Sequence, residues 1–208
     1  RKGIEKKIEL FWKLVLFSLN VLASKSPCSR VPKKVCPIRS SRLLPQNTHS
    51  HDFFWAFGTN SSIGVVLSTA GLTEDVRALL VRIQNDLFDV GADLCTPVVD
   101  SPAFEPLRVL ESQITYLEEQ IDKYNADLES LRSFVLPSGT PAAAHLHVAR
   151  TVLRRAERCT WAAIHAFGGG VNPLTAKYLN RCSDLLFVLA RYANKEIGDQ
   201  LWVPGANR

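Results

Sequence analysis

An all-α fold, a five-helix up-and-down bundle, is predicted for this 208-residue chain by three observations: strand signals are scarce, helix-start punctuation recurs, and apolar residues repeat at helical spacing. An apolar content of 46% is enough for one well-packed core, and the length is too short for two full-sized domains.

Ahead of the bundle, residues 1–51 are expected to form an irregular basic tail, with the helical domain spanning 52–208. The tail holds eleven Lys or Arg against two acids, and the rest holds fourteen against eighteen, giving +9 and −4. The basic charge is therefore a property of the tail. A folded body with a mildly acidic balance does not carry the electrostatic footprint of a nucleic-acid binder. The apolar run from Leu10 is broken by Lys13, Ser18 and Asn20, short of the about 20 mostly apolar residues a span needs, so no stable membrane insertion is expected. From Ser24 to Ser50 there is no acid, which fits a mitochondrial transit segment. The alternatives are a non-native extension and a cytoplasmic protein.

The first helix is placed near residues 60–70. The second, near 74–93, starts from Thr73 with Glu74 and Asp75 favourable to the helix dipole, and Val76, Leu79, Leu80, Ile83, Leu87, Val90 and Leu94 share one face. The third, near 104–132, follows Ser101-Pro102, and its start is blurred by Pro106. Leu107, Leu110, Ile114, Leu117, Ile121, Tyr124, Leu128 and Leu131 alternate spacings of three and four, the seam of shallow-angle bundle packing. Flanking amphipathic helices favour an intrachain bundle over a coiled-coil dimer. Thr140-Pro141 and Asn172-Pro173 each pair an N-cap residue with proline at the first helical position, and so start helices near 141–166 and 173–195. Gly168-Gly169-Gly170 reads as the flexible connection between them.

The chemistry concentrates on the fourth helix. Arg150, Arg154 and Arg158 recur at intervals of four, and Glu157 falls in the sector of Arg150 and Arg154. Guanidinium forks match phosphate oxygens two at a time, so this face suits a triphosphate; a solvated helix with internal ion pairs has the same spacing. On the fifth helix Asn180, Ser183 and Asp184 share a side, fit for hydrogen bonds to a ligand or to a neighbouring helix. His145 and His147 lie two apart, on different faces, which argues against a shared metal. Cysteines 28, 36, 95, 159 and 182 are scattered without a CxxC pair, so neither a zinc site nor a disulfide framework is expected.

Four blocks in order carry a family resemblance: IQNDLFDVGADL from Ile83, SFVLPSGTP from Ser133 with ARTVLRRAER from Ala149, YLNRCSDLLFVLARYAN from Tyr178, and Leu201-Trp202-Val203-Pro204. From about Phe57 to Pro204 the chain resembles the PduO-type ATP:cob(I)alamin adenosyltransferases. The resemblance implies a helical bundle that assembles as a homotrimer, with ATP and corrinoid at subunit interfaces. It also implies transfer of the 5′-deoxyadenosyl group of ATP to the cobalt of cob(I)alamin, forming adenosylcobalamin and releasing triphosphate. Reduced cobalt is the nucleophile there, so no catalytic side-chain nucleophile and no protein metal site is expected.

By the same resemblance Arg154, Arg155, Ala156, Glu157 and Arg158 match the ATP-contacting helix segment, and Asn180 matches an ATP-contacting asparagine. Arg154 would stabilise charge on the departing triphosphate, with Mg²⁺ sharing the task. Phe134 matches the aromatic beneath the corrin, and Arg150 an arginine that shapes that junction, so both are expected to bind cobalamin. A reductase and a cobalamin-dependent mutase are the implied partners. The chain departs from the family pattern at its start: no TRTGD-like loop precedes Phe53, and Gly58-Thr59 runs into Asn60 as though four residues resembling Val-Asp-Glu-Leu were missing. The departure deprives Arg150 of its matching aspartate and admits an alternative function, a noncatalytic paralogue that binds corrinoid or assembles with an active subunit.

Overall fold

The last helix is the axis of the fold. In the computed structural model, which describes residues 49–102 and 105–208 with side chains from Phe57 onward, the elements are α1 (His49–Leu67), α2 (Glu74–Leu94), α3 (Glu111–Asn125), α4 (Pro141–Phe167) and α5 (Pro173–Ala193), with a 3₁₀ turn at Gly168–Gly170. Expectations about residues 1–48 lie outside the described residues. Along α5, Ala176, Leu179, Leu185, Leu186 and Leu189 are buried, and the helix packs chiefly on α4 and α3. A helix apolar over most of its circumference belongs in a core.

Around this axis the expected faces turn inward. All seven predicted positions of α2 are buried. The second layer of specificity is polar: Asn60 Nδ2 donates to the Gln84 carbonyl at 2.7 Å, and Gln84 Nε2 donates to Asn60 Oδ1 at 3.0 Å, which fixes α1 against α2. Helix α1 begins at His49 rather than near 60, and no proline or glycine lies between His49 and Phe57 to interrupt it. At Gly58 an added Cβ would lie 3.4 Å from Val152 Cγ1, so the small residue admits α4.

The long third helix is a correction: α3 runs only from Glu111 to Asn125. Leu107 and Leu110 are exposed, as is Leu131, and the buried seam is confined to Ile114, Leu117 and Tyr124. Ahead of α3, Pro106 lacks the N–H a helix interior needs. The extended segment is held instead by its own polar contacts, since Arg108 Nη1 donates to Asp93 Oδ1 and to the Thr96 carbonyl, and the Val109 N–H donates to Asp93 Oδ2 at 2.8 Å. Helical geometry starts where the Leu110 N–H meets Gln113 Oε1 at 3.0 Å.

Between α2 and α3, Tyr124 donates to Asp75 Oδ2 at 2.7 Å, and Thr73 Oγ1 donates to Asp75 Oδ1. Thr73 thus occupies the N-cap position without capping the backbone. The Thr73 and Tyr124 hydroxyls, in that order, hold the Asp75 carboxyl down to about 2 from 3.8. A depressed carboxylate stabilises the fold above its unfolded value and stops doing so as the pH falls through the folded one. The melting temperature is therefore expected to drop between about pH 4 and about pH 2 more steeply for the native chain than for Asp75→Asn. Thermal melts by circular dichroism across that range check it.

Candidate functional site

The site begins with a junction that sets the register of α4. The Thr140 hydroxyl accepts from the Ala143 N–H at 3.2 Å, with Pro141 at the first helical position, as the sequence predicts. The preceding Gly139 has φ +103°, and an added Cβ would meet Asn194 Oδ1 at 2.3 Å. That close approach lets Asn194, the buried C-cap of α5, accept from the Thr140 N–H at 2.9 Å and donate to the Ser138 carbonyl at 3.0 Å. Gly139→Ala both strains the backbone and displaces this amide, so a loss of about 3 kcal/mol is expected in urea unfolding.

With the start of α4 tied to the end of α5, their polar stripes meet. Asn180 Nδ2 donates to Glu157 Oε1 at 2.9 Å, Arg154 Nη1 donates to Ser183 Oγ at 3.4 Å, and Arg154 lies 3.7 Å from Glu157 Oε2. Arg181 Nη2 donates to Asn180 Oδ1 at 2.7 Å and lies 3.3 Å from Asp184. Both candidate stripes of the sequence thus face each other in one seam. Glu157 is buried, and its Oε2 accepts no hydrogen bond. A buried carboxylate oxygen without a donor is costly, so this wall has bonding capacity to spare for a ligand. Ala156 is buried in the core and supplies close packing rather than a polar group. Arg155 and Arg158 are exposed, with Arg158 Nη1 donating to the Arg154 carbonyl at 3.4 Å.

One turn earlier the character changes from polar to aromatic. The Arg150 guanidinium lies 5.2 Å from the centre of the Phe187 ring, and its Nε is buried without a hydrogen-bond acceptor. Burial first, and then the charge of Arg154, lower the pKa of Arg150, while Asp184 opposes them. Phe134 lies on the loop before α4 and is 77% exposed. Its backbone is held, since the Trp202 N–H donates to the Phe134 carbonyl and the Leu136 N–H to the Gln200 carbonyl, each at 2.8 Å, around the Val135–Leu201 bridge. Trp202 packs on it with ring centres 5.9 Å apart. Asp199, just before this bridge, is fixed by Arg191 Nε at 2.7 Å.

Sequence reasoning missed Phe187, Asp199 and His147. His147 is buried, its ring 6.1 Å from Phe187 in an edge-on contact, and its Nε2 has no partner. The intervals His147–Arg150–Arg154, three and four, place it on the arginine stripe and are the signal that could have found it. Among the described residues no group of three or more His, Cys, Asp or Glu is arranged to hold a metal ion. Cys182 is fully buried, and burial pushes its thiol pKa far up, away from the thiolate that reacts. The seam therefore sets the Arg154 guanidinium, a group whose fork matches phosphate oxygens, against the Glu157 carboxylate and the Asn180 amide.

Residues 50–193 match the family model described as cobalamin adenosyltransferase. The chain is 55% identical over 149 residues to a corrinoid adenosyltransferase of Mycobacterium tuberculosis, covering 72% of this chain and 77% of that protein. It is 37% identical over 142 residues to the corrinoid adenosyltransferase of Bacillus subtilis, covering 67% and 70%. Its fold is similar, with a TM-score of 0.69 and 33% identity, to a variant PduO-type ATP:corrinoid adenosyltransferase from Lactobacillus reuteri complexed with cobalamin and ATP, covering 78% of this chain and 87% of that one.

Proposed function

The chain belongs to the cobalamin adenosyltransferase family, and from that premise we propose that it transfers the 5′-deoxyadenosyl group of ATP to the cobalt of cob(I)alamin. A Co–C bond forms at C5′, the C5′–O bond breaks, and triphosphate leaves with the electron pair. The observation that carries the reading is the seam in which Arg154 and Asn180, from two helices, converge on the buried carboxylate of Glu157.

In that seam Arg154, with Arg155 and Arg158 at the exposed edge, binds the phosphate chain and offsets the charge that grows on it as the C5′–O bond opens. Asn180 and Glu157 orient the nucleotide at the buried end, while Ala156, predicted to touch ATP, faces the core and acts only by packing the helix beneath the site. Mg²⁺ takes oxygen donors and keeps several waters; the triphosphate oxygens would hold it, since Glu157 Oε2 is buried against Arg154, and it would supply charge neutralisation beside the arginines. Phe134 and Arg150 mark the corrinoid side, where the exposed ring offers an apolar face to the macrocycle. No side-chain nucleophile is needed.

The wider assignment follows the same premise. Residues 52–208 form the adenosyltransferase domain, and residues 1–51 are an appended basic tail whose acid-free stretch suits a mitochondrial address. Association as a homotrimer is the proposed form, and it rests on membership of the family alone. A reductase would supply the electron that makes cob(I)alamin, and a cobalamin-dependent mutase would accept the product. The deciding experiment follows adenosylcobalamin absorbance with chemically reduced cobalamin and MgATP. Turnover above the no-enzyme rate is expected, and its absence from the folded protein rejects the proposal.

A further inference from the structure

The proposed function leaves the inner end of the arginine stripe without an explanation. There, His147 is 5% exposed and its Nε2 has no hydrogen-bond partner, the adjacent Arg150 has an unpartnered buried Nε, and Asp199 has an unpartnered buried Oδ1. Three orphaned polar atoms in one neighbourhood are not what stability alone selects, since each carries an uncompensated desolvation cost. Phe187 connects the first two: the imidazole meets this ring edge-on at 6.1 Å, and the Arg150 guanidinium lies 5.2 Å from the same ring centre.

We propose that His147 is a positioning residue for Arg150, working only as the neutral imidazole: it holds the Phe187 ring that the guanidinium faces, and its protonation sets a second cation beside Arg150 and displaces it from the corrinoid side. The inference rests on the adenosyltransferase reading and adds to it a control on corrinoid binding.

The charges around His147 come from three elements. Arg150 is on its own helix and, after burial, lowers its pKa from the ordinary 6.5; Asp199 on the C-terminal segment opposes them. Helix α5 presents Phe187 to the ring, Asp184 to Arg150, and Arg191 to Asp199. Arg191 already engages Asp199 Oδ2 at 2.7 Å, so the carboxylate is partly neutralised before it can compensate a histidine cation. Neutral imidazole is therefore the resting form at pH 7, and proton uptake belongs to the acidic side of the usual histidine range. Below it the site gains a charge that the aromatic cluster cannot solvate.

The test measures cob(II)alamin binding by titration calorimetry at saturating MgATP, at about pH 7.5 and about pH 5.0, with MgATP binding measured separately. Between the two values the native chain is expected to weaken toward the corrinoid by about threefold while its affinity for MgATP stays level. His147→Gln, which keeps a neutral polar side chain, is expected to show no such pH ratio for the corrinoid. His147→Lys, a permanent cation, is expected to bind the corrinoid weakly at both pH values; if it fails to fold, the glutamine pH ratio still decides. Equal pH ratios in the native and glutamine proteins, or an acid loss shared by MgATP, overturn the inference while leaving the adenosyltransferase reading intact. A folded native protein that binds no corrinoid at either pH overturns both.

Discussion

Replacing Arg154 with alanine is expected to lower kcat/KM for ATP by about a hundredfold to a thousandfold, with helicity unchanged. The side chain is 42% exposed and its ion pair with Glu157 spans 3.7 Å, so its contribution to folding is small. Its contribution to the reaction is large because triphosphate departs with charge that a nearby guanidinium offsets in the transition state more than in the ground state. Arg154→Lys keeps the charge and loses the two-point fork, so it should fall between. Adenosylcobalamin formation against ATP concentration, with circular dichroism of each variant, checks both. An alanine variant within about threefold of native activity contradicts the assigned role.

Asp93→Ala is expected to cost about 3–5 kcal/mol of stability, the largest loss for a residue outside the site. The Asp93 side chain is fully buried and serves three donors on two segments: Arg108 Nη1, the Val109 N–H at 2.8 Å, and Asn172 Nδ2 at 2.6 Å. Removing it takes the counter-charge from Arg108, which keeps only carbonyl acceptors, those of Thr96 and Pro97 among them, and leaves the Val109 N–H without its acceptor where α2, the entry to α3 and the cap of α5 meet. Asp93→Asn keeps the volume but turns one acceptor into a donor facing donors, so a smaller loss is expected. Urea unfolding followed by circular dichroism measures both, and a loss below about 1 kcal/mol for the alanine variant would mean the junction rearranges to satisfy itself.

Local rules carried much of the architecture. Thr140-Pro141 and Asn172-Pro173 begin helices where capping chemistry puts them, and the buried face of α2 is the one its spacing describes. The seam of α3 was over-read because apolar periodicity records a repeat and not its interruption. At Leu107 and Leu110 the spacing persists after Pro106 and the Arg108–Asp93 contact have already made the chain extended. The arginine stripe was visible for the same reason that α2 was, being periodic within one helix. Its partners were not, since Arg154 meets Ser183 and Glu157 meets Asn180 across helices, at separations that no local pattern encodes. The spacing of His145 and His147 speaks only to a shared metal, whereas His147 meets Phe187 from α5 and feels the charge of Asp199 from the C-terminal segment.

Asn180 and Ser183 ride on α5, flanked by the buried Leu179 and Cys182. One jaw of the proposed nucleotide grip is thus machined into the axle of the molecule, and no hinge separates it from the hub. Evolution can retouch the opposite jaw, on the outer side of α4, by changing surface arginines. On α5, a shift of even one methylene in the hub is felt at the tip of the asparagine, so selection for durability and selection for turnover act there on the same few side chains.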